Sequence, residues 1–262
     1  MPILAYHLVT DSFDLGFART SLRQFKQQMS WLAENGYRTL TLYESLKKWL
    51  PDGKKNNSQK QVVLTFDDAY ASLENAFAIM SDFGFVGTCF AISDYIGREN
   101  SWDYQFGARK IRHASAGFLR KMIDTRWEVG SHSCRHPYLA KLSGKNVHDE
   151  LARSKEKIAD ITGAAVHSVS YPFGYADKRV CSIARKCGYA CGVGLGLPLN
   201  KQLMLGKMCL PRLGMYLFDS RHSFSKKLTS FIRYKRSYFF MQQLISFGTK
   251  GTIFLRKWKP QR

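Results

Sequence analysis

The 262-residue chain predicts an α/β fold built on a parallel sheet, and three observations carry that expectation. Amphipathic helical stretches alternate with short β-branched or aromatic runs. A glycine follows each helical stretch. The run Gln61 to Phe66 (QVVLTF) has an apolar centre and ends on two carboxylates, Asp67 and Asp68. Strands alternating with helices of this length give βαβ units. An apolar-centred strand is one covered on both faces. The length suits a single α/β barrel of about 250 residues, and with 45% apolar residues a sizeable core can be buried.

Each element has its own signal. Ser21 to Asn35 reads as a helix with Phe25, Met29 and Leu32 on one face, then Gly36 and YRTLTL. Ser72 to Phe83 is followed by Gly84 and FVGTCFAIS, Lys145 to Thr162 by Gly163 and VHSVSY, and Asp177 to Cys187 by Gly188 and YACGVG. Glycine stops a helix in the left-handed conformation without a Cβ penalty. Pro51 to Lys60 (PDGKKNNSQK) reads as a surface loop, because it lacks periodicity and is rich in turn formers. No linker divides the chain. The expected organisation is a barrel domain over 1–219 and a basic, aromatic-rich extension over 220–262.

The charge is +20, from 40 Lys and Arg against 20 Asp and Glu, which favours polyanionic neighbours. There is no RNA-recognition signature, zinc finger or helix-turn-helix spacing, so nucleic acid is the lesser reading of that charge. The six cysteines form no CxxC pair and read as free thiols. The N-terminus MPILAYHLVTDSFD has no basic n-region or long apolar h-region, and no run of about 18 apolar residues occurs, so a cytoplasmic location is expected.

In parallel α/β folds ligands bind beyond the C-terminal ends of strands, which makes Asp67 and Asp68 candidates for chemistry. Alone, the pair would read as an N-cap for the next helix. In WEVGSHSCRHP (Trp127 to Pro137), WEVG reads as a strand, and His132 and His136 lie four apart. On one helical turn their Cβ atoms would be about 5–6 Å apart, a chelating distance. Two His and one carboxylate leave positions open for water and substrate. SYPFG (Ser170 to Gly174) follows a third strand, where Pro and Gly impose a sharp turn.

In this order TFDDAY, SHSCRHP and SYPFG resemble the polysaccharide deacetylase family, carbohydrate esterase family 4 with its NodB-homology domain. The segments YHLV (Tyr6 to Val9) and LPRLGM (Leu210 to Met215) look like its poly-N-acetylglucosamine deacetylase branch. The resemblance covers roughly residues 1 to 216. It implies a distorted (β/α) barrel of the NodB type with about seven parallel strands. It implies a hydrolase removing N-acetyl groups from an amino-sugar polymer or a lipid-linked N-acetyl sugar, with a catalytically inactive carbohydrate-binding relative as the alternative. By position, Asp67 is the base, Asp68, His132 and His136 hold a divalent metal, zinc foremost, and the Phe173 N–H helps bind the oxyanion. The third motif lines the groove, where Tyr171, beside Pro172, either stacks on a sugar ring or simply packs. A divalent metal polarises the amide carbonyl and lowers the pKa of water, while the base takes the water proton.

The chain departs from that pattern in three places. Ala69 stands where the first motif has Gly, and Ser170 stands where the third has an Arg that orients the base. By family position Arg212 is expected to reach the base instead. The late Leu-x-His motif that supplies the general acid is absent, which leaves His222 and His7 as candidates, His7 at the end of the first strand. From Ser220 to Arg262 Lys and Arg are interleaved with aromatics and no Asp or Glu occurs. That region reads as a final helix with a solvated tail, or as a peripheral anchor to anionic membrane.

Overall fold

The computed structural model describes residues 1–12, 18–47, 60–100, 111–195 and 206–229. Of the predicted surface loop, Pro51 to Lys60, residues 51–59 lie outside the described residues, as do residues 230–262 of the C-terminal extension, while Lys60 opens a strand.

Among the described residues, eight strands form one curled sheet, and every pairing in it is parallel. β1 (Ile3–Tyr6) sits beside β5 (Lys60–Phe66), followed by β6 (Thr88–Ala91), β7 (Glu128–Ser131), β8 (Ser168–Ser170) and β9 (Cys191–Val193). β10 (Leu213–Gly214) flanks β1, and β4 (Tyr37–Leu40) adds to β5. The two-residue strands β2 (Leu8–Val9) and β3 (Arg19–Thr20) pair separately. Leu213 and Gly214 pair with Leu4 and Ala5 of β1. Just before them, Leu210 bridges Val193, so one short segment touches both edges of the sheet and nearly closes the barrel.

The helices are α1 (Leu22–Glu34), α2 (Leu42–Lys47), α3 (Leu73–Asp82), α4 (Ala116–Asp124), α5 (Gly144–Thr162), α6 (Lys178–Lys186) and α7 (Arg221–Thr229). Ser21 caps α1 through a reciprocal capping box with Gln24, and Asp177 caps α6 through Val180 N–H. The four stop glycines take φ of 64–78°. α7 packs its Phe224 edge-on to Trp31 of α1 at 5.8 Å. Its Lys227 is buried, bonded to Asp219 and to the Gly214 carbonyl. The first residues of the expected extension are therefore packed against the barrel.

β5 explains how the sequence divides inside from outside. Val62, Leu64 and Phe66 join the outer core with Phe25, Met29 and Phe77 of the surrounding helices. Val63 joins a separate interior cluster with Ile3, Phe90, Cys191 and Val193. Strand side chains alternate, so the interior row continues 63, 65, 67. Asp67 enters the barrel by that alternation, and its N–H extends the ladder to the Tyr6 carbonyl at 2.9 Å.

Candidate metal centre and base

Asp67 is 2% exposed and meets Arg212, which is fully buried. The guanidinium donates Nη1 to Oδ1 at 2.8 Å and Nη2 to Oδ2 at 2.7 Å. It also bonds Thr65 Oγ1, Ser170 Oγ and the Gly194 carbonyl, above the Phe90 ring. Ser170, in the place of the family's Arg, thus accepts from an Arg arriving from another strand. Burial pushes the Asp67 carboxyl up, but Arg212, then His132 and His7, outweigh it and hold the group well below the usual carboxylate range. His7 Nε2 lies 3.9 Å from Asp67 Oδ2, with its side chain 23% exposed.

One residue on, the backbone turns left-handed at Asp68 (φ 67°) and Ala69 (φ 50°). Such a conformation costs a non-glycine residue of order 1–2 kcal/mol. It carries the Asp68 carboxylate to the two histidines: Oδ1 lies 3.5 Å from His132 Nε2 and 3.7 Å from His136 Nε2. One ligand atom from each of the three residues falls within 4.8 Å of the others. Ligands about 2.1 Å from a shared zinc stand roughly 3.0–3.5 Å apart, so the donor set fits such an ion with little adjustment.

The histidines converge through a loop, not through the helical turn their spacing suggested. After β7 the chain takes positive φ at Ser133 (65°) and His136 (57°). Ser131 Oγ accepts from Ser133 N–H and Ser133 Oγ from His136 N–H, at 3.2 and 3.0 Å. Glu150 on α5 accepts the N–H groups of Cys134 and Arg135, both at 3.0 Å. Ser154 donates to the Ser133 carbonyl at 3.0 Å. His132 Nδ1 faces the Ser170 carbonyl at 2.7 Å, so it carries the ring proton and leaves Nε2 as the ligand atom. Burial pushes His132 down to about 4, against the opposing pull of Asp67, and holds His136 well below its ordinary value. Neutral imidazoles are the ligating form.

The third motif forms a tight turn over Pro172–Gly174 with Phe173 at φ 59°. The Phe173 ring packs on His136 at 4.8 Å and on Tyr138 at 5.8 Å, and Tyr138 stacks with Tyr175, itself 44% exposed. Of the two readings for Tyr171, stacking or packing, the structure gives packing. The residue is fully buried and its hydroxyl donates to the Met208 carbonyl at 2.8 Å, so it packs in the core and cannot line a groove, and Pro172 is buried beside it. Arg212 is too buried to meet substrate directly. His222 lies exposed on α7, whereas His7 is the histidine brought to Asp67.

Three residues escaped the sequence reading. Glu150 and Ser154 carried a signal: polar residues on the buried face of α5 beside Val147 and Leu151. His113, whose Nδ1 faces the Asp68 carbonyl at 2.7 Å, carried none.

The curled parallel barrel thus carries an Asp-His-His donor set beside a buried, Arg-clamped carboxylate. A family model described as polysaccharide deacetylase matches residues 54–192, and the chain belongs to that family. The Bacillus subtilis (strain 168) protein YxkH, assigned to the polysaccharide deacetylases, is 29% identical over 194 residues, 74% of this chain and 63% of that protein. A Staphylococcus aureus poly-β-1,6-N-acetyl-D-glucosamine N-deacetylase is 25% identical over 186 residues, 67% of this chain and 60% of the relative. A solved Bacillus anthracis structure described as a polysaccharide deacetylase superposes with TM-score 0.69 at 26% identity, covering 87% of this chain and 68% of that one. The chain thus spans less than two thirds of the length of these two curated relatives.

Proposed function

We propose that this chain is a metal-dependent carbohydrate N-deacetylase, acting on an amino-sugar polymer or a lipid-linked N-acetyl sugar. The observation that carries the reading is the convergence of Asp68, His132 and His136 next to Asp67. A divalent metal, zinc foremost, would be held by those three residues and would supply the polarisation of the amide carbonyl and of water. Asp67 stays ionised beside Arg212 and takes the water proton. Arg212 fixes both carboxylate oxygens, so the accepting lone pair keeps one direction. His7, on the more open side of Asp67, protonates the departing nitrogen. The Phe173 N–H supports the developing oxyanion. Tyr138 and Tyr175 form an aromatic pair at the rim, suited to a sugar ring.

The test is acetate release from poly-β-1,6-linked N-acetylglucosamine and from lipid-linked N-acetyl sugars, with zinc content measured in parallel. His132→Ala should reduce zinc well below one per chain and abolish release. Asp67→Asn should keep zinc and slow release by about 10²–10⁴-fold. Full zinc occupancy in His132→Ala would sink the metal assignment. Zinc lost in Asp67→Asn but kept in Asp68→Asn would reverse the two carboxylates.

We also propose that the basic, aromatic residues beyond α7, among them Arg233, Lys235, Arg236, Phe239, Phe240 and Trp258, attach the enzyme to anionic membrane at the cytoplasmic face. Among the described residues no helix is long and apolar enough to cross a membrane. Sedimentation with anionic vesicles should fall at least tenfold when the chain ends at Thr229. Equal binding by both forms excludes the attachment.

A further inference from the structure

The left-handed pair Asp68 and Ala69 persists only because its surroundings over-determine it. Those surroundings are one short segment, residues 111–114. Tyr70 and His113 form an antiparallel bridge. Ala71 N–H donates to the Arg112 carbonyl at 2.8 Å, and Ala114 N–H to the Ala69 carbonyl at 2.7 Å. The His113 side chain adds a third tie, from Nδ1 to the Asp68 carbonyl at 2.7 Å. Its ring is 2% exposed and lies between Tyr70 and Tyr95, at 4.9 and 5.4 Å between centroids, so it has little room to turn. A carbonyl oxygen only accepts, so Nδ1 bears the proton. Nε2 has no polar partner among the described residues. One polar contact therefore orients this buried ring, and that contact is to a proposed metal ligand.

We infer that His113 is a positioning residue of the metal centre: its Nδ1–H holds the Asp68 carbonyl, locks the Asp68–Ala69 peptide, and so aims the Asp68 carboxylate at the point where His132 and His136 converge. The inference rests on the metal site proposed above. Releasing that peptide frees ψ of Asp68 and φ of Ala69 together, and the carboxylate loses its fixed origin. Partners that orient metal ligands are typically worth 10–100-fold in metal affinity or activity.

Three variants of the full chain separate the hydrogen bond from the packing. An Asn amide nitrogen overlays Nδ1, a Gln amide nitrogen overlays Nε2, and Phe keeps the ring without a donor. Metal is removed, and affinity for Zn²⁺ is measured by chelator competition, with the Co²⁺ absorption spectrum reporting the ligand field. His113→Phe and His113→Gln should bind zinc 10–100-fold more weakly and alter the Co²⁺ spectrum. His113→Asn should stay within about threefold of the unaltered chain. Zinc binding by folded His113→Phe as tight as in the unaltered chain overturns the inference, as does an Asn variant as weak as the Gln one. Should His113→Phe fail to fold, the Gln-against-Asn difference decides alone. Absence of zinc binding by the unaltered chain would fell the metal-site reading instead.

Discussion

Two carboxylates are buried at opposite mouths of this barrel and are kept in opposite ways. Asp67 follows the C-terminal end of β5; Glu128 opens β7 at the N-terminal end. Exposure is 2% for the first and 9% for the second. Glu128 is ringed by neutral donors: Ser168 Oγ at 2.6 Å, Tyr43 N–H at 2.9 Å and Thr88 Oγ1 at 3.0 Å. Burial pushes its pKa up, and those bonds only soften the rise. Asp67 suffers the same burial, yet its pKa falls, because Arg212 meets it with two parallel bonds. Dehydration raises both groups, and at Asp67 the Arg212 contact, joined by His132 and His7, outweighs it. One end of the barrel is built to keep a charge; the other joins strands together, as the N-terminal face of such barrels usually does.

Removing the cation should break the comparison most strongly. Arg212→Met leaves a buried carboxylate without its counter-charge, which costs about 3–5 kcal/mol. Deacetylation should fall by about 10²-fold or more, since the base loses its orientation. Burial then dominates, so the Asp67 pKa rises and the acid limb of the residual pH–rate profile moves to higher pH. An unmoved acid limb would show that Arg212 does not hold the charge. Glu128→Leu should cost less, about 2–4 kcal/mol, by orphaning the Tyr43 N–H and two hydroxyls. Activity per folded molecule should be unchanged, as denaturation midpoints and rates measured together will show.

The smallest effect is one of sign. The folded pKa of Glu128 is raised, so its contribution to stability is whole below the unfolded carboxylate pKa and is lost as pH rises through the folded value. Glu128→Gln keeps the shape, should alter stability by no more than about 1 kcal/mol, and removes that loss. The melting temperature of the variant minus that of the unaltered chain should climb from pH 4 toward neutrality. For Asp67 the direction is opposite: its contribution is present above the unfolded carboxylate pKa and disappears in acid.

Much of this was legible in the sequence, for reasons particular residues make clear. Helix periodicity and stop glycines gave α1, α3, α5 and α6, because local backbone preference and the buried face agree there. Asp67, Asp68, His132 and His136 stood out because strand ends place them on one rim. The path that joins the histidines did not, since positive φ at Ser133 and His136 depends on bonds from α5, a partner remote in sequence. Tyr171 stayed open between stacking and packing, because its burial depends on the Met208 carbonyl, a partner remote in sequence. His113 gave no signal at all: its partner is a carbonyl, which any residue supplies.

Arg212 also has a consequence for biosynthesis. It reaches Asp67 across 145 positions of sequence, and the segment bearing it is among the last of the barrel to be made. A nascent chain can hold every residue matched by the family model, through 192, and still lack the guanidinium that organises Asp67. Until the segment bearing Arg212 emerges and its strand docks beside β1, the nascent chain carries Asp67 without its counter-charge.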